Sequence, residues 1–359
     1  MKILVWQWGR FGAGPRFATE LARAFSRLAG TTGMLSLSAQ AELLDSRSPP
    51  ASALTVSTYN GMPSLLGKLA TSPLLARTLA RELARLRPDT AICAMPAPLD
   101  FLMAGALERQ KIPFGVVIHD AAPHPGDGFP LQFALQRRLA RRAGLLVALS
   151  THVAEQLREV AAGRSARLVI ASHPPFAFGP VAAREVHAGR PLRLLFFGRL
   201  LRYKGLDLLA AALARLPPDR FSVRIVGRGP PSDALHALAS LAFVKVENRW
   251  VPEGEIASLL RWADALVLPY REASQSGVAA TAVAAGRMVV ATAVGGLSEQ
   301  LRDEPLALLA PPEPAALAAC LARIAEHPIP APTAAMADGA WMAFAERVLP
   351  ELRALAGAA

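Results

Sequence analysis

Arg199 and Lys204 stand five residues apart just beyond an apolar run, in the stretch PLRLLFFGRLLRYKGLDLLAAALARL. A guanidinium and an ammonium on a short loop between a strand and a helix suit an anion. The guanidinium offers planar paired donors, the ammonium a point charge, and the helix start adds unsatisfied N–H groups. The anion that fits this set is a phosphate. A second such junction follows in LVLPYREASQSGVAATAVAAG. There Ser274 and Ser276 carry hydroxyls, Ser276, Gly277 and Val278 offer backbone N–H groups, and small residues let the backbone approach a ligand. Two such junctions in one half of the chain exceed what helix capping alone requires. No Gly-rich loop ends in Lys-Ser or Lys-Thr, so a Walker-type phosphate loop is not the device.

Two further groups of chemistry-bearing residues lie nearer the N-terminus. Apolar Phe114–Ile118 runs directly into His119 and Asp120, which are expected at the mouth of a crevice, beyond a strand end. His124 and Asp127 follow in HDAAPHPGDG and raise a metal reading, but the spacing matches no metal motif and Pro123 and Pro125 constrain the loop, so no metal is expected. Earlier, GRFGAGPRFATELARAF places Gly9, Gly12 and Gly14 after an apolar run at residues 2–8. It is like a dinucleotide fingerprint only loosely, lacking the later acidic residue, and reads as a substrate-facing loop ahead of a helix over 19–28.

The elements needed to position these groups are strands that alternate with helices. Strands are predicted near 33–37, 54–56, 90–93, 114–118, 145–149 and 167–170, then at 193–197, 221–226, 243–246, 265–268, 287–291 and 306–309. Helices are predicted over 151–161, from Lys204, over 232–241 and 253–262, from Ser274, and from Ala315 and Met336; VGGLSE at 294–299 reads as a loop. Two basic amphipathic segments, 65–86 with Arg77, Arg81 and Arg85, and 131–145 with Arg137, Arg138, Arg141 and Arg142, suit an anionic membrane surface. The rhythm breaks in the Pro- and Gly-rich stretch at 173–191, which divides 1–180 from 190–335, and 336–359 is a closing helix expected to pack back on the first domain.

Composition agrees with two α/β domains. The 359 residues exceed one ordinary hydrophobic core, and 52% hydrophobic content rules out a disordered chain. Cys93 and Cys320 are far apart in apolar contexts, as free thiols in a reducing compartment would be. MKILVWQW leads into Gly-rich sequence without a cleavage site, and no apolar run approaches a membrane span, so a cytoplasmic protein is expected. The net charge of +11 calls for polyanionic surroundings, yet no nucleic-acid motif is present and only three tyrosines and five tryptophans are available for base stacking. Phosphorylated substrate and anionic lipid rank above nucleic acid.

FFGRLLRYKGLDLLAAAL, LVLPYREASQSGVAATAVAAGRMVVATAVGG, ENRWVPEGEI and the early GAG segment together resemble the family 4 glycosyltransferases of GT-B fold. The resemblance implies two Rossmann-like domains with parallel sheets facing across a cleft, the second holding a UDP- or GDP-sugar donor and the first an acceptor, lipid-linked or saccharide. It implies transfer with retention, no metal and no cofactor beyond the donor; the basic segments at 65–86 and 131–145 add the expectation of envelope or exopolysaccharide synthesis by a protein peripheral on the inner membrane face. On this resemblance Arg199 and Lys204, with Gly198, match the donor diphosphate; Glu272, Ser274, Gln275, Ser276, Gly277 and Val278 match the loop around its distal phosphate and sugar. Gly12 and Gly14 match the first-domain loop, His119 with Asp120 the contact to the transferred sugar, and Gly227 with Val251 the border of the nucleobase.

One feature departs from the family. The usual second glutamate, toward the ribose, is absent: counting from Glu272 places Ala280 there, and aligning on Gly286 places Ala273 and Thr281 at the pair. A GT-B-type sugar-nucleotide epimerase, which would need an acid/base carboxylate set, and a non-catalytic nucleotide-sugar-binding scaffold are the alternative readings.

Overall fold

The computed structural model describes residues 1–46, 48–124, 130–161, 166–178, 189–326 and 337–357. The chain divides into two compact units, Met1–Ala122 with Gly128–Ser172 and Asp338–Ala359, and Pro123–Asp127 with His173–Ala337.

The first unit contains β1 (Lys2–Gln7), α1 (Ala13–Arg27), β2 (Thr32–Ser38), β3 (Leu54–Val56), α2 (Met62–Ala70), α3 (Ser72–Leu86) and β4 (Thr90–Cys93). It continues with α4 (Asp100–Arg109), β5 (Phe114–Ile118), α5 (Pro130–Ala140), β6 (Leu145–Ala148), α6 (Thr151–Ala161) and β7 (Arg167–Ile170). The strands form one parallel sheet in the order β3-β2-β1-β4-β5-β6-β7. β4, β5 and β6 are buried at every residue, as strands covered on both faces must be, which explains their unbroken apolar sequences.

The second unit repeats the rhythm: β8 (Leu192–Phe197), α7 (Leu206–Leu213), β9 (Phe221–Gly227), α8 (Asp233–Ala239), β10 (Val244–Asn248) and α9 (Glu253–Trp262). After these come β11 (Ala265–Leu268), α10 (Gly277–Ala284), β12 (Met288–Thr292), α11 (Gly295–Leu301), β13 (Ala307–Ala310) and α12 (Pro314–Glu326). Their sheet is also parallel, in the order β10-β9-β8-β11-β12-β13. In each sheet the order reverses direction between its first and fourth strands, β1 beside β4 and β8 beside β11, the arrangement of a Rossmann fold. The last helix, α13 (Ala337–Gly357), belongs with the first unit from Asp338 on. Trp341 and Phe344 meet Phe17 edge-on at 4.9 and 5.6 Å, and Arg167 pairs with Glu351 at 2.8 Å. Among the described residues no helix is long and apolar enough to cross a membrane.

Several helix boundaries differ from those read in the sequence. α1 begins at Ala13, six positions before the expected start, because Gly12 caps it at φ 79° and ψ −153°, a conformation open essentially to glycine alone. Gly14 is therefore helical, and it is small for an internal reason: a Cβ there would lie 2.7 Å from the Gln7 amide nitrogen. The basic segment at 65–86 is two helices, broken at Thr71 where Pro73 in the first turn of α3 has no N–H to continue α2.

Beside the carboxyl ends of β1 and β4 sits a buried acid. The Asp100 carboxylate accepts the Ala97 N–H at 2.6 Å and the Cys93 thiol at 3.3 Å. Burial pushes its pKa from 3.8 up to about 7, the hydrogen bonds from Ala97 and Cys93 opposing the rise, and burial also raises the Cys93 thiol well above its ordinary value. The unfolded chain ionises this carboxyl at its ordinary value of 3.8 and the folded one at about 7, so folding retains a proton between those values. The stability contributed by Asp100 is complete below the lower value and is lost as the pH rises through the upper one. We expect Asp100→Asn to remove this fall. A denaturation midpoint that declines equally in wild type and variant over that interval would contradict it.

Candidate functional site

The loops that follow β8 and β11 emerge side by side because the two strands pair, Ala265 opposite Leu194 and Leu266 opposite Leu195. They are packed backbone to backbone. Arg271 donates its N–H to Tyr203 O at 2.8 Å, and a Cβ on Gly205, whose φ is 65°, would lie 1.8 Å from Pro269 O. This left-handed glycine moves the start of α7 to Leu206, so Lys204 ends a separate turn, Arg202–Lys204, and does not open the helix as the sequence reading expected. The first turn of α7 instead carries Asp207, which pairs with Arg271. Burial would raise the Asp207 carboxyl, but its bonds to Arg271 hold it below its ordinary value.

The two cations meet around two tyrosines. Arg199 Nη2 donates to Tyr203 Oη at 2.9 Å, while Lys204 Nζ lies 3.6 Å from the centre of the Tyr270 ring and 4.8 Å from that of Tyr203. Such contacts hold an ammonium without neutralising it. Tyr270 is buried, and burial pushes its phenol up to about 12 against the opposing effects of the Ser276 hydroxyl and Arg199, so it keeps its proton. Arg199, Lys204 and Ser276 are thus brought together through Tyr203 and Tyr270.

The loop before α10 is fixed from several sides. Ser276 caps the helix, its hydroxyl accepting the Ala279 N–H at 3.2 Å. Gln300 of α11 accepts the Ser276 N–H at 2.9 Å and donates to Ser276 O at 3.0 Å. The Ser276 amide, expected from the sequence to face an anion, is therefore bound internally. Helix geometry leaves the N–H groups of Gly277 and Val278 at the opening of α10 outside the intrahelical pattern. The segment 294–299, read as a loop, is mostly helix α11, and Gly295 at φ 45° brings it against Ala273 O, where a Cβ would sit at 2.2 Å.

His124, which belongs with the second unit, stacks on Tyr203 at 4.6 Å; its Nδ1 lies 3.3 Å from the Glu272 carboxylate and its Nε2 3.4 Å from Ser274 Oγ. Glu272 is exposed, Ser274 is buried and Gln275 is half-buried. Among the described residues, the Gln275 side-chain oxygen has no hydrogen-bond partner. Thr281, at one of the two positions for the missing glutamate, is buried and accepts the Phe176 N–H at 3.3 Å. At the end of β9, Gly227 touches Gly198, whose carbonyl oxygen would lie 1.6 Å from an added Cβ, and Asn248 clamps the backbone of Gly229 at 3.1 and 3.0 Å. Val251 is buried in the core of the same unit.

In the first unit, His119 is buried, contrary to its expected place at an open mouth. The carbonyl oxygen of Ala94 lies 2.9 Å from its Nε2, which must therefore carry the ring proton, and Phe17 meets the ring edge-on at 4.9 Å. Burial lowers its pKa, with the Ala94 bond and Asp120 opposing, so the ring is neutral. Asp120 is half-buried, and its carbonyl oxygen accepts from Gln136 Nε2 at 2.6 Å. Among the described residues no group of three or more metal-ligating side chains gathers; Asp127 lies outside them. Tyr203, Tyr270, His124 and Gln300 were not assigned to the site from sequence. A signal existed for the tyrosines: two of the chain's three fall in the two anion-suited loops.

Residues 12–173 match the model of the glycosyl transferase 4-like domain, and residues 191–327 that of glycosyl transferases group 1. The chain belongs to this glycosyltransferase family. The chain is 32% identical over 202 residues to the glycogen synthase of Mycobacterium tuberculosis, a match covering 54% of this chain and 49% of that one. It thus aligns with about half the length of such curated relatives. Its fold is similar to that of sucrose-phosphate synthase from Thermosynechococcus elongatus, with a TM-score of 0.68 at 19% identity and 100% of both chains covered. It is similar also to Anabaena HepE in complex with UDP and glucose, with a TM-score of 0.65 at 20% identity, covering 100% of this chain and 99% of that one. The fold is therefore GT-B, with two Rossmann-like parallel-sheet domains.

The packing at Gly205 yields a stability test. Gly205→Ala adds both left-handed strain and a backbone collision, and should destabilise the second unit by about 2 kcal/mol or more. Gly30→Ala, at φ 72° with nothing within 4 Å, carries the strain alone and should cost about 1 kcal/mol. Equal urea midpoints for the two variants would contradict the collision.

Proposed function

We propose that this transferase moves a sugar from a nucleoside-diphosphate donor, UDP- or GDP-linked, to an acceptor hydroxyl with retention of configuration. The observation that carries the reading is the convergence of Arg199 and Lys204 around Tyr203 and Tyr270, beside the opening of α10. As the sugar–phosphate bond breaks, positive charge gathers on the sugar and negative charge on the departing diphosphate. Arg199, Lys204 and the amides of Gly277 and Val278 take up that negative charge, and Tyr203 and Tyr270 hold the cations in place before it appears. Glu272, Ser274 and Gln275 complete the donor side, Gly198 lies with the diphosphate cations, Gly227 and Val251 border the nucleobase, and Gly12, ahead of α1, is the first-unit loop residue.

The acceptor attacks from the face that the diphosphate leaves, and the leaving phosphate oxygen receives the acceptor hydroxyl proton. This route needs no second carboxylate across the sugar. His119, neutral and with its proton on Nε2, acts through Nδ1 as an acceptor for a sugar hydroxyl and not as an acid; Asp120 stands beside it. The acceptor is lipid-linked or saccharide, in envelope or exopolysaccharide synthesis, with the protein cytoplasmic and peripheral on the membrane.

Arg199→Ala and Lys204→Ala should each lower kcat by about 10²-fold at saturating donor while circular dichroism stays unchanged. Turnover near wild type in either variant would refute the assignment. A thermal-shift series with UDP, GDP and ADP should raise Tm for one base, since only the folded state binds it. No shift with any of them would refute donor binding, and donor consumption without an acceptor would refute transfer in favour of epimerisation.

A further inference from the structure

A groove of about 310 Å³ opens on the first unit between the edge strand β3 and the α2–α3 pair. Leu54, Val56, Leu75 and Leu79 make an apolar floor, and Lys68, Leu74 and Thr78 stand at its rim. This size suits a narrow apolar ligand. The ground around it is apolar too: of seven large hydrophobic side chains exposed among the described residues, four (Met62, Leu66, Leu69 and Leu74) lie on α2 and α3. Concentration of such residues in one place marks an interaction surface, where scattered ones do not.

The charge on the same helices selects the occupant. Residues 57–87 carry Lys68, Arg77, Arg81, Arg85 and Arg87 against Glu82 alone, and Glu82 is taken by Arg85 at 2.9 Å. Arg77 and Arg81 have no partner among the described residues, and helical spacing puts them on one exposed face with Leu74 and Thr78. Lys68 Nζ is held beside the groove by Ser57 Oγ at 3.2 Å. An apolar slot with cations along its rim is complementary to one long alkyl chain carrying an anionic head.

We propose that this groove takes the alkyl chain of a membrane lipid with a phosphate headgroup, the chain lying over Leu75 and Leu79 and the phosphate meeting Lys68 and Arg77. The site goes beyond the proposed transfer and does not depend on it, because binding is measured without a donor. Each buried methylene strengthens chain binding about fourfold, so even a partly filled groove discriminates a chain from a bare phosphate.

The test uses the full chain and dodecyl phosphate below its micellar concentration, with inorganic phosphate as control, by titration calorimetry. One dodecyl phosphate should bind per chain, and inorganic phosphate should neither bind comparably nor displace it. Thr78→Trp fills the groove from its exposed rim and should weaken binding at least tenfold; Lys68→Ala should weaken it about threefold or more. Leu74→Asn, at a side chain already 62% exposed, repeats the test should the tryptophan disturb folding, and should weaken binding about threefold. Co-sedimentation with phosphatidylglycerol vesicles should fall in parallel, and phosphatidylcholine vesicles should retain less protein. Dodecyl phosphate affinity unchanged in both Thr78→Trp and Leu74→Asn, or full displacement by inorganic phosphate, overturns the groove as a chain site. A UDP-induced Tm shift that persists in Thr78→Trp keeps the outcome separate from the donor reading.

Discussion

The site rests on the pairing of β8 with β11. Where a parallel sheet reverses its order, the loops that leave two adjacent strands turn to opposite faces and open a crevice at their carboxyl ends. In the second unit these are the loop bearing Arg199 and Lys204 and the loop bearing Tyr270 to Ser276. The contact of Gly205 with Pro269 O and the bond from Arg271 to Tyr203 O lock one to the other. The segment that carries the cations is then placed by main-chain geometry.

Tyr203 and Tyr270 solve an electrostatic problem. Two positive side chains held near one another repel. An aromatic face offers an ammonium about 0.5–2 kcal/mol of attraction without cancelling its charge, as a carboxylate would. Asp207, in the first turn of α7, pairs with Arg271.

Much of this was legible in the sequence. β4, β5 and β11 were readable to the residue because each is an apolar run bounded by residues that cannot extend it, and the two anion-suited loops follow from the same strand-to-helix changes of period. Helix starts were less legible. At Gly12, Gly205 and Gly295 the glycine answers to a tertiary contact or a positive φ, which local sequence reads only as a break. His119 was misplaced for a related reason: position just beyond a strand suggests exposure, whereas burial came from Phe17, distant in sequence. The internal use of the Ser276 amide by Gln300 and the stacking of His124 on Tyr203 join residues 24 and more apart, and no periodicity encodes them.

Thr281 couples two distant segments of the second unit. When the sequence is aligned on Gly286, which holds a left-handed φ of 65°, Thr281 occupies the place of the family's ribose-facing glutamate. Here its hydroxyl is buried and engaged by the N–H of Phe176. A glutamate returned to that position would bring a carboxylate into a space shaped for a small hydroxyl and would displace the Phe176 contact. A glutamate at residue 281 is therefore not a change of one side chain alone: it requires the segment around Phe176 to move with it.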